Sequence, residues 1–472
     1  MDTGFSWQQL AKVLQRFPDA SRYWVAFSGG VDSHALLHAS TVLRDKQALP
    51  EVVAAHINHG LHPEADDWER HCAQVCQALC IPFTAIPVQA HPRTGESPEA
   101  VARQARYQAL WVVIAEGDML LTAHHRDDQA ETLLLQLVRG AGTLGLAAMP
   151  ACAPFGQGWL GRPLLDVSRA MLEQYGHAQE LRWISDSSNA DTRYDRNFIR
   201  HQVLPVLQAR WPSLNRTLSR VAANQQDAAC LLEHLAAADC RAIAGPVPRT
   251  LSRTALVALA PGRQRNVLRY WLRSLNLPMA GRVHIEAILL DAARGSEKTS
   301  PCVGWPGAEV RRYRDRIYAM RPRSVAPGRQ RPIPWNLKTP LELSHGRLKA
   351  TRVRGAGLSA YIVARGSLEV RFRGGGERCR PAGSRHTRML KKLFQQQGVP
   401  PWERSQVPLI YIDGEFAAVA GLWVCEPYAA REGEVGWLLL WQCAESQETL
   451  DRSPGVTSTF MSKVTLEGSG PG

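Results

Sequence analysis

The six residues Ser28-Gly29-Gly30-Val31-Asp32-Ser33 lie between an apolar run, Tyr23–Phe27, and a helical pattern that opens at His34-Ala35-Leu36-Leu37-His38. A buried strand that feeds a helix through small residues is the repeating unit of a parallel α/β sheet. Such a turn aims free backbone N–H groups, and the positive end of the helix dipole, at a single point, so it selects an anion there. Glycine lets the backbone approach that anion closely, and the hydroxyls of Ser28 and Ser33 can donate to phosphate oxygens. The turn contains no lysine, which separates it from the phosphate loops of kinases and GTPases. Pyrophosphate is the anion that fits best. Asp32 would repel phosphate unless paired, so it is expected to hold Mg²⁺ or a hydrogen-bond donor.

Three more apolar runs, Val52–His56, Phe83–Val88 and Met119–Thr122, follow at βαβ spacing. They predict a doubly wound parallel sheet over residues 1–214, with ligands bound beyond the carboxyl ends of its strands. From Leu214 the pattern turns helical over Leu214–Ala238 and Arg263–Leu275, with one strand near Ala308–Ala319. A Pro-, Gly- and Arg-rich stretch, Arg321–Pro334, reads as a linker. A small α+β unit is expected at 346–445, and the Ser/Thr/Gly-rich stretch 446–472 is expected to be disordered. A chain of 472 residues is too long for one core, which agrees with this division into a catalytic part (1–214), a mainly helical part (215–345) and a C-terminal part.

With 56 Lys+Arg against 43 Asp+Glu the net charge is +13, which favours a polyanionic partner. No leader-like N-terminus and no run of 18 apolar residues is found, so the expectation is a cytoplasmic protein without a membrane partner. The ten cysteines include no Cys-x-x-Cys pair, and Cys72, Cys76 and Cys80 are expected along one side of a helix as buried small residues.

Several segments carry polar groups suited to chemistry. After the second run, His56 and Asn58 offer donors and acceptors to adenine or ribose. After the fourth, in His124-His125-Arg126-Asp127-Asp128-Gln129-Ala130-Glu131-Thr132, Asp128 and Glu131 share a helix face and call for a cation between them, Mg²⁺ or an amine. The segment Asp186–Arg200 has arginines that can fork onto phosphates. Arg371–Arg404 carries nine Lys/Arg against two Glu, with glycines at 374–376 that would admit a phosphate backbone.

The loop at 28–33 matches the signature of the pyrophosphate-loop ATP pyrophosphatases, whose fold is of the adenine nucleotide alpha-hydrolase type. Taken in order, the segments resemble the tRNA(Ile)-lysidine synthetase family. The resemblance runs through His-x-Asn-His at 56–59, Arg103-Gln104-Ala105-Arg106-Tyr107, the histidine and acid segment at 124–132, Asp-x-Ser-Asn and Arg-Asn-x-Ile-Arg at 186–200, Gly-Gly-Gly-Glu-Arg-Cys-Arg-Pro at 374–381 and Leu-Lys-Lys-Leu-Phe at 390–394. His62 stands where that family commonly has Arg.

The resemblance implies a ligase that uses ATP and Mg²⁺ to adenylate C2 of the wobble cytidine in a CAU-anticodon tRNA(Ile), and then joins free L-lysine there to give lysidine. It implies ATP binding by Ser28, Gly29, Gly30, Val31, Asp32, Ser33, His56 and Asn58, with Mg²⁺ at Asp32. Asp32, Asp128, Glu131 and Arg200 would be catalytic; Asp128 and Glu131 are expected on the lysine amino groups, and which arginine meets the α-phosphate is open, with Arg200 preferred. Arg106, Arg378, Arg380, Arg388, Lys391 and Lys392 would contact tRNA, and a homodimer is left open. Three other readings compete. Cytidine thiolation is disfavoured by the lack of Cys-x-x-Cys, small-molecule ligases by the basic C-terminal half, and a silent RNA-binding protein by the intact acidic residues.

Overall fold

Runs of apolar residues without polar alternation become strands buried on both faces; the first, second and fourth runs do so here, while the third, Phe83–Pro87, forms a partly exposed edge strand. The computed structural model describes residues 4–47, 50–60, 63–89, 98–185, 191–294, 301–322 and 331–443. His62, the Asp186–Asn189 motif and the stretch 446–472 lie outside the described residues. The chain divides into two compact units, Met1–Ala237 and Ala238–Gly472.

The first unit runs α1 (Trp7–Leu14), β1 (Arg22–Ala26), α2 (Val31–Gln47), β2 (Glu51–Asn58), α3 (Ala65–Ala78), β3 (Phe83–Pro87), α4 (Pro98–Val113), β4 (Asp118–Leu121), α5 (Arg126–Val138), α6 (Thr143–Leu146), β5 (Cys152–Phe155), β6 (Gly158–Gly161) and α7 (Arg169–Ala178). The sheet order is β3-β2-β1-β4-β6-β5, with β5 alone antiparallel, so β1 lies between β2 and β4. Side chains alternate between two apolar layers. Val25, Ala54 and Leu121 pack with Leu36 and Leu172, whereas Trp24, Val53 and Leu120 pack with Leu110 of α4 and Ile114 just after it. The β5–β6 hairpin was not expected from the sequence. Its strands are four residues long, and Pro154 is tolerated because β5 is an edge.

Cys72 and Cys76 are buried in the first layer as expected, but Cys80 is exposed and off the helix. α3 ends at Ala78, and Cys80 sits in a left-handed conformation with φ 51°. After α7 come α8 (Asp195–Phe198), a π-helical turn at Ile199–Val203, α9 (Leu204–Arg210) and α10 (Leu214–Ala242). Ile199 and Leu204 pack on Ala130, fixing the π turn against α5.

The second unit opens with β7 (Leu251–Ser252), α11 (Arg253–Ala258), α12 (Pro261–Ser274), α13 (Arg282–Arg294), β8 (Cys302–Trp305), β9 (Ala308–Tyr313) and β10 (Arg316–Met320). The single strand expected at 308–319 is two, joined by a turn at Arg314 (φ 54°) and Asp315. That turn has no Gly or Asn to mark it; Asp315 accepts instead from Ser252 Oγ at 2.7 Å and from the Thr254 amide at 2.9 Å. This region is therefore a four-stranded antiparallel sheet, β7-β10-β9-β8, packed on helices, and not helical alone.

The rest comprises β11 (Ile333–Pro334), β12 (Leu341–Leu343), β13 (Gly346–Arg354), β14 (Leu358–Ser359), α14 (Ala360–Val363), β15 (Leu368–Arg371), β16 (Arg378–Cys379), β17 (Arg388–Met389), α15 (Leu390–Gln397), β18 (Leu409–Ile412), β19 (Glu415–Val419), β20 (Trp423–Val424) and β21 (Val435–Cys443). Sheets β11-β15-β18-β19-β20 and β12-β13-β21-β14 share a core that includes Leu348, Val370, Ile410 and Leu439. Ile333 and Pro334, assigned to the linker from sequence, pair with Val370 and Glu369. Among the described residues no helix is long and apolar enough to cross a membrane.

Candidate active site

The loop at 28–33 leaves the carboxyl end of β1 and becomes the first turn of α2. Ser33 organises it: its Oγ donates to the Gly30 carbonyl at 3.0 Å, accepts from the Ser28 amide at 3.3 Å and lies 3.2 Å from Ser28 Oγ. Gly29 has φ +82°, and a Cβ there would lie 2.6 Å from Ile184 Cδ1 and 3.1 Å from Cys72 Sγ. The segment after α7 closes on this turn. The Ile184 amide donates to the Gly29 carbonyl at 2.9 Å, and His34 Nδ1 donates to the Arg182 carbonyl at 3.0 Å. No sequence signal marked Ile184, because its role depends on a chain crossing far away in sequence.

His125 links this loop to α5. It is the N-cap of that helix: its Nδ1 accepts from the Asp128 amide at 3.4 Å, and Asp128 Oδ2 accepts from the His125 amide at 2.9 Å, a reciprocal capping box. Its Nε2 lies 3.6 Å from Asp32 Oδ2 and 3.4 Å from Asp128 Oδ2. One buried ring therefore touches the acid of the phosphate loop and the first acid of α5. Burial alone would lower its pKa, but Asp128, Asp32 and Asp127 outweigh burial and raise it. The neighbouring His124 is driven by burial down to about 3 and is neutral.

Asp128 and Glu131 face the same way, as their spacing predicts, and the cations between them are two guanidiniums. Arg196 Nε and Nη2 reach Glu131 Oε2 at 2.7 Å and Asp128 Oδ1 at 2.8 Å. Arg200 Nε and Nη2 reach Glu131 Oε1 at 2.6 Å and Oε2 at 3.0 Å, and Nη2 also lies 3.3 Å from Asp128 Oδ1. Arg196 is in α8 and Arg200 in the π turn; such turns often occur at functional sites. Burial pushes the Asp128 carboxyl up, but the charges of His125 and Arg196, with that of His124 and the hydrogen bond from the His125 amide, pull it down to about 2. Arg200, the sequence-based candidate for the α-phosphate, here contacts both carboxylates, and Arg196 of the same Arg-Asn-x-Ile-Arg motif shares them equally.

The two other residues expected at the nucleotide, His56 and Asn58, also have protein partners. His56 Nδ1 donates to the Phe27 carbonyl at 2.9 Å and so holds the end of β1. Asn58 donates to Asp66 at 3.1 Å and Glu69 at 2.9 Å, and accepts from the Gly60 amide at 2.9 Å. These groups shape the rim of the site. Arg106 is exposed on α4, with Nε 3.4 Å from His59 Nε2.

In the second unit Arg378, Arg380, Arg388, Lys391 and Lys392 are all exposed. Leu390, Leu393 and Phe394 bury the opposite side of α15, which turns both lysines outward. The amides of Gly374 and Gly375, expected to be open to phosphate, donate to Glu377 Oε1 at 2.7 and 2.8 Å. The loop is thus closed on an internal anion, and the cationic surface beside it is made by side chains.

Residues 5–207 match the PP-loop domain family, 251–318 the TilS substrate binding domain and 368–441 the TilS substrate C-terminal domain. The chain is 40% identical to the tRNA(Ile)-lysidine synthase of Coxiella burnetii, over 92% of this chain and 96% of the relative. The chain belongs to the tRNA(Ile)-lysidine synthase family. The corresponding synthase of Alkalilimnicola ehrlichii is 42% identical over 90% of this chain and 95% of its own. That of Methylococcus capsulatus is 41% identical over 89% and 96%. ATP is the nucleotide that PP-loop enzymes of this family use.

Proposed function

We propose that the chain adenylates C2 of the wobble cytidine of CAU-anticodon tRNA(Ile) with ATP, releasing pyrophosphate, and that the amine of free L-lysine then displaces AMP to form lysidine. The observation that carries this reading is the single imidazole of His125 held between Asp32 of the phosphate loop and Asp128 of the acidic pair. It sets a phosphate site beside an amine site, as two consecutive steps on one base require. Pyrophosphate release that needs both lysine and the CAU-anticodon tRNA is the expected result; release without lysine points to a different ligase. The reaction belongs in the cytoplasm, where its tRNA is.

In the first step the loop amides, with the hydroxyls of Ser28 and Ser33, receive the charge that develops on the leaving pyrophosphate. Asp32 suits Mg²⁺: its Oδ1 is buried with no hydrogen-bond partner among the described residues, and one carboxylate plus substrate phosphates is a usual arrangement for this ion. When bound, Mg²⁺ neutralises phosphate charge. In the second step Asp128 and Glu131 hold the lysine amino groups. Arg196 and Arg200 fill the positions an ammonium would take, so lysine enters by exchange and frees a guanidinium for the α-phosphate. The attacking amine must shed a proton, and Asp128, Glu131 and His125 are the acceptors at this end of the sheet. Glu131→Gln is expected to raise the KM for lysine about tenfold or more while leaving that for ATP within a factor of two or so; initial rates at varied lysine and ATP check it, and equal changes in both count against the assignment.

Residues 1–214 form the catalytic part in this reading, and 215–345 and 346–445 bind tRNA, the latter through Arg378, Arg380, Arg388, Lys391 and Lys392. Phosphate contacts of this kind make affinity fall steeply with salt. Lys391→Ala and Lys392→Ala are each expected to reduce the slope of log affinity against log salt by about one. Filter binding of the tRNA over a salt series measures this, and an unchanged slope in the double variant removes α15 from the interface.

A further inference from the structure

The reaction uses none of the thiols. Cys72 and Cys76 are pushed by burial up to about 12 and are inert packing residues. Cys379 and Cys425 are different. Both are buried, 1% and 3% exposed, and their Sγ atoms are 2.9 Å apart. That is well inside the roughly 3.5–4.0 Å at which non-bonded heavy atoms rest. Their backbones already run side by side: Pro381 and Cys425 form an antiparallel bridge, the Ala382 amide donates to the Val424 carbonyl at 2.9 Å, and the Glu426 amide to the Arg380 carbonyl at 2.8 Å. Joining the two sulfurs needs no rearrangement of the chain. Among the described residues no cluster of three or more His, Cys, Asp or Glu is placed to hold a metal.

We propose that Cys379 and Cys425 are a reversible disulfide site, oxidised by a low-molecular-weight disulfide such as glutathione disulfide, and that the bond staples the strand carrying Arg378 and Arg380 to the segment at 424–426. The thiolate of Cys379 attacks one sulfur of glutathione disulfide and expels one glutathione thiolate. The Cys425 thiolate then attacks Cys379 Sγ of the mixed disulfide and expels the second. Two protein thiols are oxidised, one external disulfide is reduced to two thiols, and the two protons leave with the glutathiones. Either sulfur can donate its S–H to the other, so by this bond the two roles are interchangeable; Cys379 is the first nucleophile because it lies on the short β16–β17 ribbon through which the reagent enters. Access comes through β16–β17, a ribbon of only two residue pairs that carries exposed Arg378 and Arg388, with exposed Arg380 directly after β16; so short an element opens locally before the rest of the domain.

The test uses the intact wild-type protein, equilibrated in glutathione buffers of increasing oxidised fraction, quenched in acid, alkylated and mapped by mass spectrometry. The expected result is a peptide pair linked through Cys379 and Cys425, two hydrogens lighter than the separate peptides and reversed by dithiothreitol. It should appear at a lower oxidised fraction than glutathione adducts on the exposed Cys80, Cys230 and Cys302. Adducts on those three with Cys379 and Cys425 still alkylatable after denaturation would overturn the proposal. A second arm rests on the tRNA reading above. The oxidised protein should bind the CAU-anticodon tRNA about threefold or more tighter, since the arginine strand is pre-ordered, and Cys379→Ser should show no such response. A cross-link without that change refutes the staple on the arginine strand, whereas no tRNA binding in either state is a failure of the tRNA reading and leaves the mass-spectrometric result to decide the disulfide.

Discussion

Gly29→Ala is expected to lower kcat/KM for ATP by about 100-fold or more, the scale of losing one well-placed backbone donor, while the melting temperature falls by only a few degrees or so. The left-handed φ of +82° costs a β-carbon roughly 1–2 kcal/mol. Ile184 Cδ1, which stands 2.6 Å from where that carbon would sit, can turn aside. What cannot be kept is the position of the loop amides, because the Gly29 carbonyl is pinned by the Ile184 amide at 2.9 Å on the same side. Gly30 is the internal control. A Cβ there meets only Ser28 Oγ at 3.7 Å, so Gly30→Ala leaves stability unchanged and acts solely on the approach of phosphate. Pyrophosphate release at varied ATP, with calorimetry on the same samples, checks both variants. Parental ATP kinetics in Gly29→Ala would remove the loop from the nucleotide site.

Arg196→Ala is expected to destabilise the fold by about 3–5 kcal/mol, because it strips one partner from a buried charge cluster. Glu131 is 1% exposed and Asp128 11%, and with Arg196 gone Asp128 Oδ1 keeps only the longer 3.3 Å contact to Arg200 in place of the 2.8 Å one. The loss should depend on pH in a defined sense. The Asp128 carboxyl, ordinarily near 3.8, is held at about 2 in the folded protein, so its contribution is full above the ordinary value and disappears as pH falls through the lower one. Without Arg196 the folded value rises toward the ordinary one. The deficit of the variant should therefore be full near neutral pH and shrink between about pH 4 and pH 2. Urea unfolding at stepped pH measures it. A deficit that stays constant down to pH 2 or so would mean that lost packing, and not the ion pair, sets the cost.

The parts of the site that lie within one strand–turn–helix unit were legible in the sequence. Ser28 to Ser33 and the Asp128/Glu131 face declare themselves through local spacing. Their partners were not legible, since Arg196 and Arg200 reach the acids only when the π turn packs on Ala130, and Ile184 reaches Gly29 only after α7 has crossed the sheet. His56 and Asn58 are legible as polar groups at the end of a strand, but only the fold reveals their protein partners, the Phe27 carbonyl and the Gly60 amide. The same holds for Glu377, whose carboxylate takes the amides that the three glycines seemed to reserve for RNA.

The placement of His125 has a thermodynamic corollary. A ring nitrogen that faces two acids at once cannot lean toward one without loosening its hold on the other, so the energetic states of Asp32 and Asp128 are not independent. Any ligand that changes the field at the first is felt at the second, and linkage makes the exchange mutual: by whatever factor nucleotide alters the affinity for the amino acid, the amino acid alters that for nucleotide. Order in the two-step reaction can thus be enforced through one side chain, without movement of a domain.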